Sequence, residues 1–222
     1  MMSAGGPPWT LPPISPPSWL TTPAGSGASG DAKPDSGTFA VPAELKAGLK
    51  DAWDASFPHG KSQEHGGILV RKADGTLEWR AGNAGTSGTF QINYGDLKSG
   101  ETLVASAHTH PYDASEGGHR DVPFSGGDLA NMVTGAESQK FVQSGDSVFR
   151  AAKTEEFEKL VKASNPDTLK TEMKATFNTA LGGATGSFQD RVEAGVKAVC
   201  EKYHLEYFKG TGDSLTRVDT SK

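Results

Sequence analysis

The sequence predicts a layered α/β domain. Short apolar runs that are typical of strands occupy the middle of the chain, and amphipathic patterns that are typical of helices lie on both sides of them. Helices that precede and follow a set of strands pack most readily as layers on a sheet. We expect one folded domain over 38–222, with a motif-bearing core at 39–150.

The first 37 residues differ in composition from the rest of the chain. They hold eight of the 13 prolines and a Gly/Ser-rich stretch at 24–30. Such segments favour extended polyproline II and flexible conformations, so 1–37 is predicted to be a flexible leader. Trp9 and Trp19 leave a docking segment open as the alternative.

The predicted elements of the motif core follow in order. Pro42 starts a helix whose apolar residues recur every four positions, at Leu45, Leu49, Trp53 and Phe57. Two β-prone runs flank Asp74-Gly75, which predicts a hairpin. Further strands are expected at Phe90–Tyr94, Thr102–His108 and Ser147–Ala151, with a helix at Asp128–Val133.

The remainder of the chain is predicted to be mostly helical. Residues 151–205 carry three helical patterns and are expected to cover the motif core as a helical C-terminal extension. Closing strands are expected within 205–218. Cys200 lies in a helical pattern and is interpreted as a buried structural thiol, since a single cysteine excludes an internal disulfide.

Composition excludes some classes of function. The net charge is −5 and the chain has no Lys/Arg-rich block, so we expect no nucleic-acid partner. No apolar run reaches about 18 residues, which predicts no membrane span. The N-terminus lacks the pattern of a Sec signal, so we expect synthesis in the cytoplasm, with delivery by a signal-independent system left open.

Two histidines follow the predicted buried strand. Residues i and i+2 of a strand point to the same face, so the imidazoles of His108 and His110 can converge on one ion. On their own, two histidines are more consistent with an ordinary loop or with satisfied polar groups than with a metal site. After Pro111 the chain reaches Ser125 and Asp128 at a helix start, a spacing that also forms a capping box without any metal.

Glu64 completes the set. It stands directly before a predicted strand and two glycines, and a lone glutamate there is usually only solvated. In combination, two histidines and an aspartate form a three-ligand catalytic zinc site with a position left for water. Glu64 is a candidate proton acceptor and donor for that water, and Ser125 is a candidate hydrogen-bond donor to the oxyanion.

These residues resemble the JAMM (JAB1/MPN-type) zinc metalloprotease family. The family pattern is a glutamate before a Gly-containing strand, then H-[ST]-H-P, then S-x-x-D. The matching segments, in order, are 64–69 (EHGGIL), 108–111 (HTHP) and 125–128 (SGGD). The resemblance implies a JAB1/MPN-like (cytidine-deaminase-like) layered fold with a mixed sheet flanked by helices, and one Zn²⁺ per chain. By the same likeness His108, His110 and Asp128 would be ligands, Glu64 the acid/base and Ser125 the oxyanion donor.

One departure from the family pattern is an insert of thirteen residues, 112–124. It is interpreted as a polar surface loop, or as a flap or source of an extra ligand such as His119 or Asp121. The longer gap resembles JAMM-like domains of bacterial polymorphic toxins and effectors. His65 adjoins Glu64 and is a further candidate for the cleft lining, with a structural role as the alternative.

The leading functional hypothesis is a zinc metallopeptidase or isopeptidase that acts as a bacterial effector or toxin. Candidate substrates are a ubiquitin-like tail, a peptidoglycan stem peptide, or a self or effector cleavage site. A cognate inhibitor or delivery protein is a candidate partner. A metal-free MPN-like protein-binding scaffold is the alternative, which the intact ligand set disfavours. A zinc deaminase needs a P-C-x-x-C pair that one cysteine cannot supply.

Overall fold

The structure is a computed structural model that describes residues 37–92 and 97–221. The predicted leader lies outside the described residues apart from Gly37. The same holds for Asn93 and Tyr94, the end of the strand predicted at Phe90–Tyr94.

The described strands form one mixed sheet of eight, in the order β1-β8-β7-β6-β5-β4-β2-β3. Their bounds are β1 Thr38–Ala40, β2 Gly66–Arg71, β3 Leu77–Ala81, β4 Thr102–Thr109, β5 Gln139–Ser144, β6 Ser147–Lys153, β7 Leu205–Thr211 and β8 Ser214–Arg217. Strands β4 and β5 run parallel, and the other neighbouring pairs are antiparallel.

Helices flank the sheet on both faces. Their bounds are α1 Ala43–Ala55, α2 Gly126–Asn131, α3 Glu155–Ala163, α4 Pro166–Gly183 and α5 Phe188–Tyr203. Alternate residues of a strand enter opposite cores, as the pleat requires: Phe141 packs with α1, whereas the next residue, Val142, packs with α2, α4 and α5. No helix among the described residues is both long and apolar enough to cross a membrane.

Most of the elements predicted from periodicity are confirmed. Helix α1 follows Pro42, the β2–β3 hairpin surrounds Asp74-Gly75, and β4, β6, β7 and β8 lie where strands were expected. The region expected as a helical extension contributes α3, α4 and α5. Phe177 of α4 and Val196 of α5 share a core with Leu129 of α2, so these helices are integral to the domain rather than appended to it.

The strand predicted at Phe90–Tyr94 is wrong in its described part, because Phe90–Ile92 are irregular. The chain before them instead makes isolated backbone bonds to the segment that enters β2, including Gly85 N–H to Glu64 O at 2.8 Å. The Phe90 ring stacks on His108, with ring centroids 6.2 Å apart. Helix α2 also begins two residues earlier than expected and ends at Asn131.

Candidate metal centre

His108 and His110 lie at the end of the central strand β4. Their side chains are buried, on the sheet face that α2 covers. Gly66 of β2 is the pairing partner of His108, and a Cβ atom at Gly66 would lie 2.2 Å from the Ala107 carbonyl oxygen. Glycine at this position therefore allows β2 to approach β4 where the histidines emerge.

Asp128 is presented by the first turn of α2. The Ser125 hydroxyl accepts a hydrogen bond from Asp128 N–H at 3.1 Å. In return, Asp128 Oδ2 accepts from Ser125 N–H at 2.8 Å and from the Ser125 hydroxyl at 2.7 Å. Asp128 can therefore belong to a capping box and also serve as a metal ligand, because the cap fixes the carboxylate that faces the histidines.

The three candidate ligands converge closely. Asp128 Oδ1 lies 3.2 Å from His108 Nε2, and Asp128 Oδ2 lies 3.3 Å from His110 Nε2. The two Nε2 atoms are 3.1 Å apart. Zinc bonds of about 2.0–2.1 Å in a tetrahedron place ligand atoms about 3.3 Å from one another. The two Asp128 distances end on different carboxylate oxygens, and one ligand atom from each of the three residues lies within 4.8 Å of the others. The three residues are therefore positioned to hold a metal ion.

In the ion-free site the ionisation of His108 and Asp128 suits metal binding, whereas His110 has to lose a proton before it can bind a metal. Burial lowers the pKa of His108 despite the neighbouring carboxylate, which favours the neutral imidazole. Burial opposes ionisation of Asp128, but the charges and hydrogen bonds of the two histidines outweigh it and hold the pKa of that carboxyl well below its usual range. Burial also acts to lower the pKa of His110, yet Asp128 and Glu64 raise it overall. A neutral imidazole and an ionised carboxylate are the forms that bind a cation.

Glu64 lies beside this group with 6% of its surface exposed. Burial raises its pKa to about 8; the nearby carboxylates of Asp128 and Glu116 add to this, and His110 opposes it. Backbone bonds on both sides of the residue, including Glu64 N–H to Thr86 O at 2.7 Å, fix its position. Among the described residues, no group hydrogen-bonds to the Glu64 carboxylate, so it is available to a water or a substrate.

Two aromatic side chains that the sequence analysis did not assign to the site frame the histidines. Phe90 stacks on His108 with an interplanar angle of 7°. Tyr112 meets His110 edge-on, with centroids 6.3 Å apart. Burial and the charges of Glu64, Asp128 and Glu116 raise the pKa of Tyr112 to about 12. The position of Tyr112, two residues after His110, was the only signal that could have placed it here.

The insert at 112–124 is anchored at several points. Asp113 Oδ2 accepts a hydrogen bond from Ser62 N–H at 2.8 Å, and the Ser62 hydroxyl donates to Glu116. Val122 and Phe124 are buried in the core around α2. The insert therefore ties down the segment that leads to Glu64 and is not a detached polar loop.

The structure does not bring the three secondary candidates into the ligand group. Within the described residues, the only cluster that could hold a metal ion is His108, His110 and Asp128. The His119 ring packs on Phe188, with centroids 4.7 Å apart. Asp121 is exposed and has a φ of 60°.

The main chain of His65 bonds to Thr109 at the end of β4. Its backbone N–H donates to Thr109 Oγ1 at 3.0 Å, and its carbonyl oxygen accepts from Thr109 N–H at 2.8 Å. Burial lowers the pKa of its half-buried imidazole.

Comparison with known proteins returns no match among protein-family models, curated proteins or solved structures. The resemblance to JAMM enzymes therefore rests on the three sequence motifs alone.

Proposed function

We propose that the protein is a JAMM-type zinc-dependent hydrolase that cleaves amide, peptide or isopeptide bonds. The observation that carries the proposal is the convergence of His108, His110 and Asp128 beside the buried Glu64 carboxyl. The two Nε2 atoms lie 3.1 Å apart, and each lies within 3.3 Å of an Asp128 oxygen. A site of this composition has the parts that amide hydrolysis needs: three protein ligands, an open position and an adjacent proton carrier.

When bound, zinc lowers the pKa of a coordinated water to about 7 and polarises the scissile carbonyl. Glu64 accepts the proton of the attacking water and returns it to the leaving amine. Its low exposure suits this role, because a desolvated carboxyl has a raised proton affinity and exchanges its proton near neutral pH.

Ser125 has two roles in this proposal. Its hydroxyl donates to Asp128 at 2.7 Å and so orients a ligand. Ser125 is also exposed at the start of α2, where rotation of the hydroxyl would allow donation to the oxyanion that forms during attack. The second role requires the hydroxyl to leave Asp128 when substrate is bound.

The low exposure of the candidate metal ligands favours a substrate with a narrow, extended segment. The side chains of His108 and His110 are only 4% and 5% exposed, so a carbonyl group reaches them best from an extended segment. A ubiquitin-like tail, a peptidoglycan stem peptide and an effector cleavage site all fit this description. We also propose that the protein is a bacterial effector or toxin, with an inhibitor or delivery protein as partner. The JAMM resemblance alone supports this part of the proposal.

Hydrolysis assays with zinc-depleted and zinc-reloaded protein test the proposal. The substrates are an isopeptide-linked ubiquitin-like tail, purified muropeptides and quenched peptide libraries. We expect zinc to restore cleavage of at least one class, and Glu64→Gln to bind zinc yet lose activity by about 100-fold or more. Asp121→Asn, which changes a carboxylate outside the site, is the control that keeps activity. Cleavage that survives zinc removal, or a zinc-loaded Glu64→Gln variant with full activity, would overturn the proposal.

A further inference from the structure

A buried lysine lies on β5, the strand next to β4, close to the candidate ligands. Lys140 of β5 is 3% exposed and pairs with Ser106 of β4, two residues before His108 on the same face. Its ammonium group donates a hydrogen bond to the main-chain carbonyl oxygen of Asp128 at 3.2 Å. The lysine thus links the sheet that carries both histidines to the helix that carries the aspartate.

The lysine has a buried counter-charge. Glu137 is 0% exposed, and its Oε1 atom lies 3.7 Å from Lys140 Nζ. The Ser106 hydroxyl, also fully buried, donates to the same Oε1 at 3.2 Å. Apolar residues of similar volume often stabilise a fold as well as a buried ion pair does. Stability alone therefore explains poorly why Lys140 and Glu137 occupy these buried positions. A geometric role at the adjacent site gives a better reason.

Helix α2 needs such support because it is short. It spans six residues, Gly126–Asn131, and a helix of this length has little stability of its own. Ser125 fixes the Asp128 side chain from the solvent side, and Lys140 fixes its main chain from the sheet side. Two anchors on opposite sides define where the Asp128 carboxylate points.

We infer that Lys140 is a positioning residue for the metal ligand Asp128, and that Glu137 and Ser106 hold its ammonium group in place. This inference rests on the proposed metal site. Residues that orient a ligand without touching the ion typically change metal affinity by about 10–100-fold when they are replaced.

Cobalt(II) binding to the full chain tests the inference, because the visible absorption of cobalt reports its coordination geometry. The main variant is Lys140→Met combined with Glu137→Gln, which leaves no stranded charge. Lys153→Met is the matched control. The Lys153 side chain is only 9% exposed and also donates to a backbone carbonyl, that of Gly135 at 2.7 Å, but it does not contact Asp128. We expect the main variant to bind cobalt about 10–100-fold more weakly with an altered spectrum, and the control to keep the affinity and spectrum of the wild type.

Ser106→Ala keeps the test decisive if the double variant does not fold. It removes one hydrogen bond to Glu137. Because a single hydrogen bond contributes modestly, cobalt binding should weaken by about threefold while the free protein stays folded. Unchanged affinity and spectrum in the variants, with cobalt bound by the wild type, would overturn the inference and leave the proposed function intact. Absence of binding in the wild type would overturn both.

Discussion

The Nε2 atoms of His108 and His110 lie 3.1 Å apart, and each lies within 3.3 Å of an Asp128 oxygen. Two bare lone pairs at this separation would repel one another, so at least one nitrogen carries a proton that Asp128 can accept, or both nitrogens face a cation. Residues from β4 and α2 meet here because Gly66 allows close strand packing and Ser125 caps the helix.

Ser125→Ala should weaken both the fold and metal binding. Loss of the cap costs about 1 kcal/mol of unfolding free energy. Asp128 loses the hydroxyl hydrogen bond to its carboxylate and the cap hydrogen bond from its backbone N–H. Ser187→Ala is the matched control, because Ser187 forms the same capping box with Asp190 at the start of α5. Denaturant unfolding should show similar losses in both variants, whereas zinc titration should show weaker affinity only in Ser125→Ala. Equal zinc affinities would mean that the Ser125 cap does not orient the ligand.

Glu64 should make the stability of the metal-free protein depend on pH. Its pKa is about 8 in the fold against 4.5 for the ordinary side chain, so ionisation is disfavoured in the folded state. The folded state of the wild type therefore loses stability relative to Glu64→Gln as pH rises from about 4.5 to 8, by an upper limit of roughly 4–5 kcal/mol. Thermal unfolding at pH 5 and pH 8 with chelator present measures this difference.

The comparison for Glu64→Gln is Glu172→Gln, an exposed substitution on α4. We expect Glu172→Gln to follow the wild type at both pH values. Added zinc should shrink the advantage of Glu64→Gln at pH 8, because a nearby dication favours the ionised carboxylate. A constant difference between Glu64→Gln and the wild type from pH 5 to pH 8 would contradict the environment described for Glu64.

Gly66→Ala should disrupt the junction between β2 and β4. The added methyl group would lie 2.2 Å from the Ala107 carbonyl oxygen and 2.8 Å from the His108 Cα, so the strands must separate. We expect a loss of at least about 2 kcal/mol in unfolding free energy, together with weaker zinc binding. Gly88→Ala, where an added Cβ meets nothing within 4 Å, should change neither quantity. A Gly66→Ala protein with the stability of the wild type would argue against this packing constraint.

Local patterns predicted much of the fold but missed β5. Its sequence begins with Gln139 and Lys140, both of which are buried. Their burial depends on distant partners: Arg150 Nε donates to Gln139 at 2.6 Å, and Lys140 reaches Asp128 and Glu137. A polar strand of this kind has no hydrophobic alternation to reveal it, because tertiary contacts stabilise its polar side chains.

The candidate site also contains residues that local patterns predicted and residues that depend on distant contacts. The spacing of His108 and His110 and the capping pattern of Ser125 and Asp128 are local, so the sequence predicted residues that the structure brings together. The contact of Phe90 with His108 arises where a loop folds back on β4, and strand propensity alone pointed to the wrong conformation there. The secondary candidates lie outside the ligand group because the His119 ring packs on Phe188 and the Asp121 side chain is exposed.

Metal content tests most directly whether His108, His110 and Asp128 bind a zinc ion. It is measured by plasma mass spectrometry on protein purified without a metal-binding tag, for the wild type and for the His108→Ala/Asp128→Ala double variant. We expect about one zinc per chain in the wild type and none in the double variant. A wild-type protein that is folded yet takes up no zinc after zinc is added back would contradict this expectation.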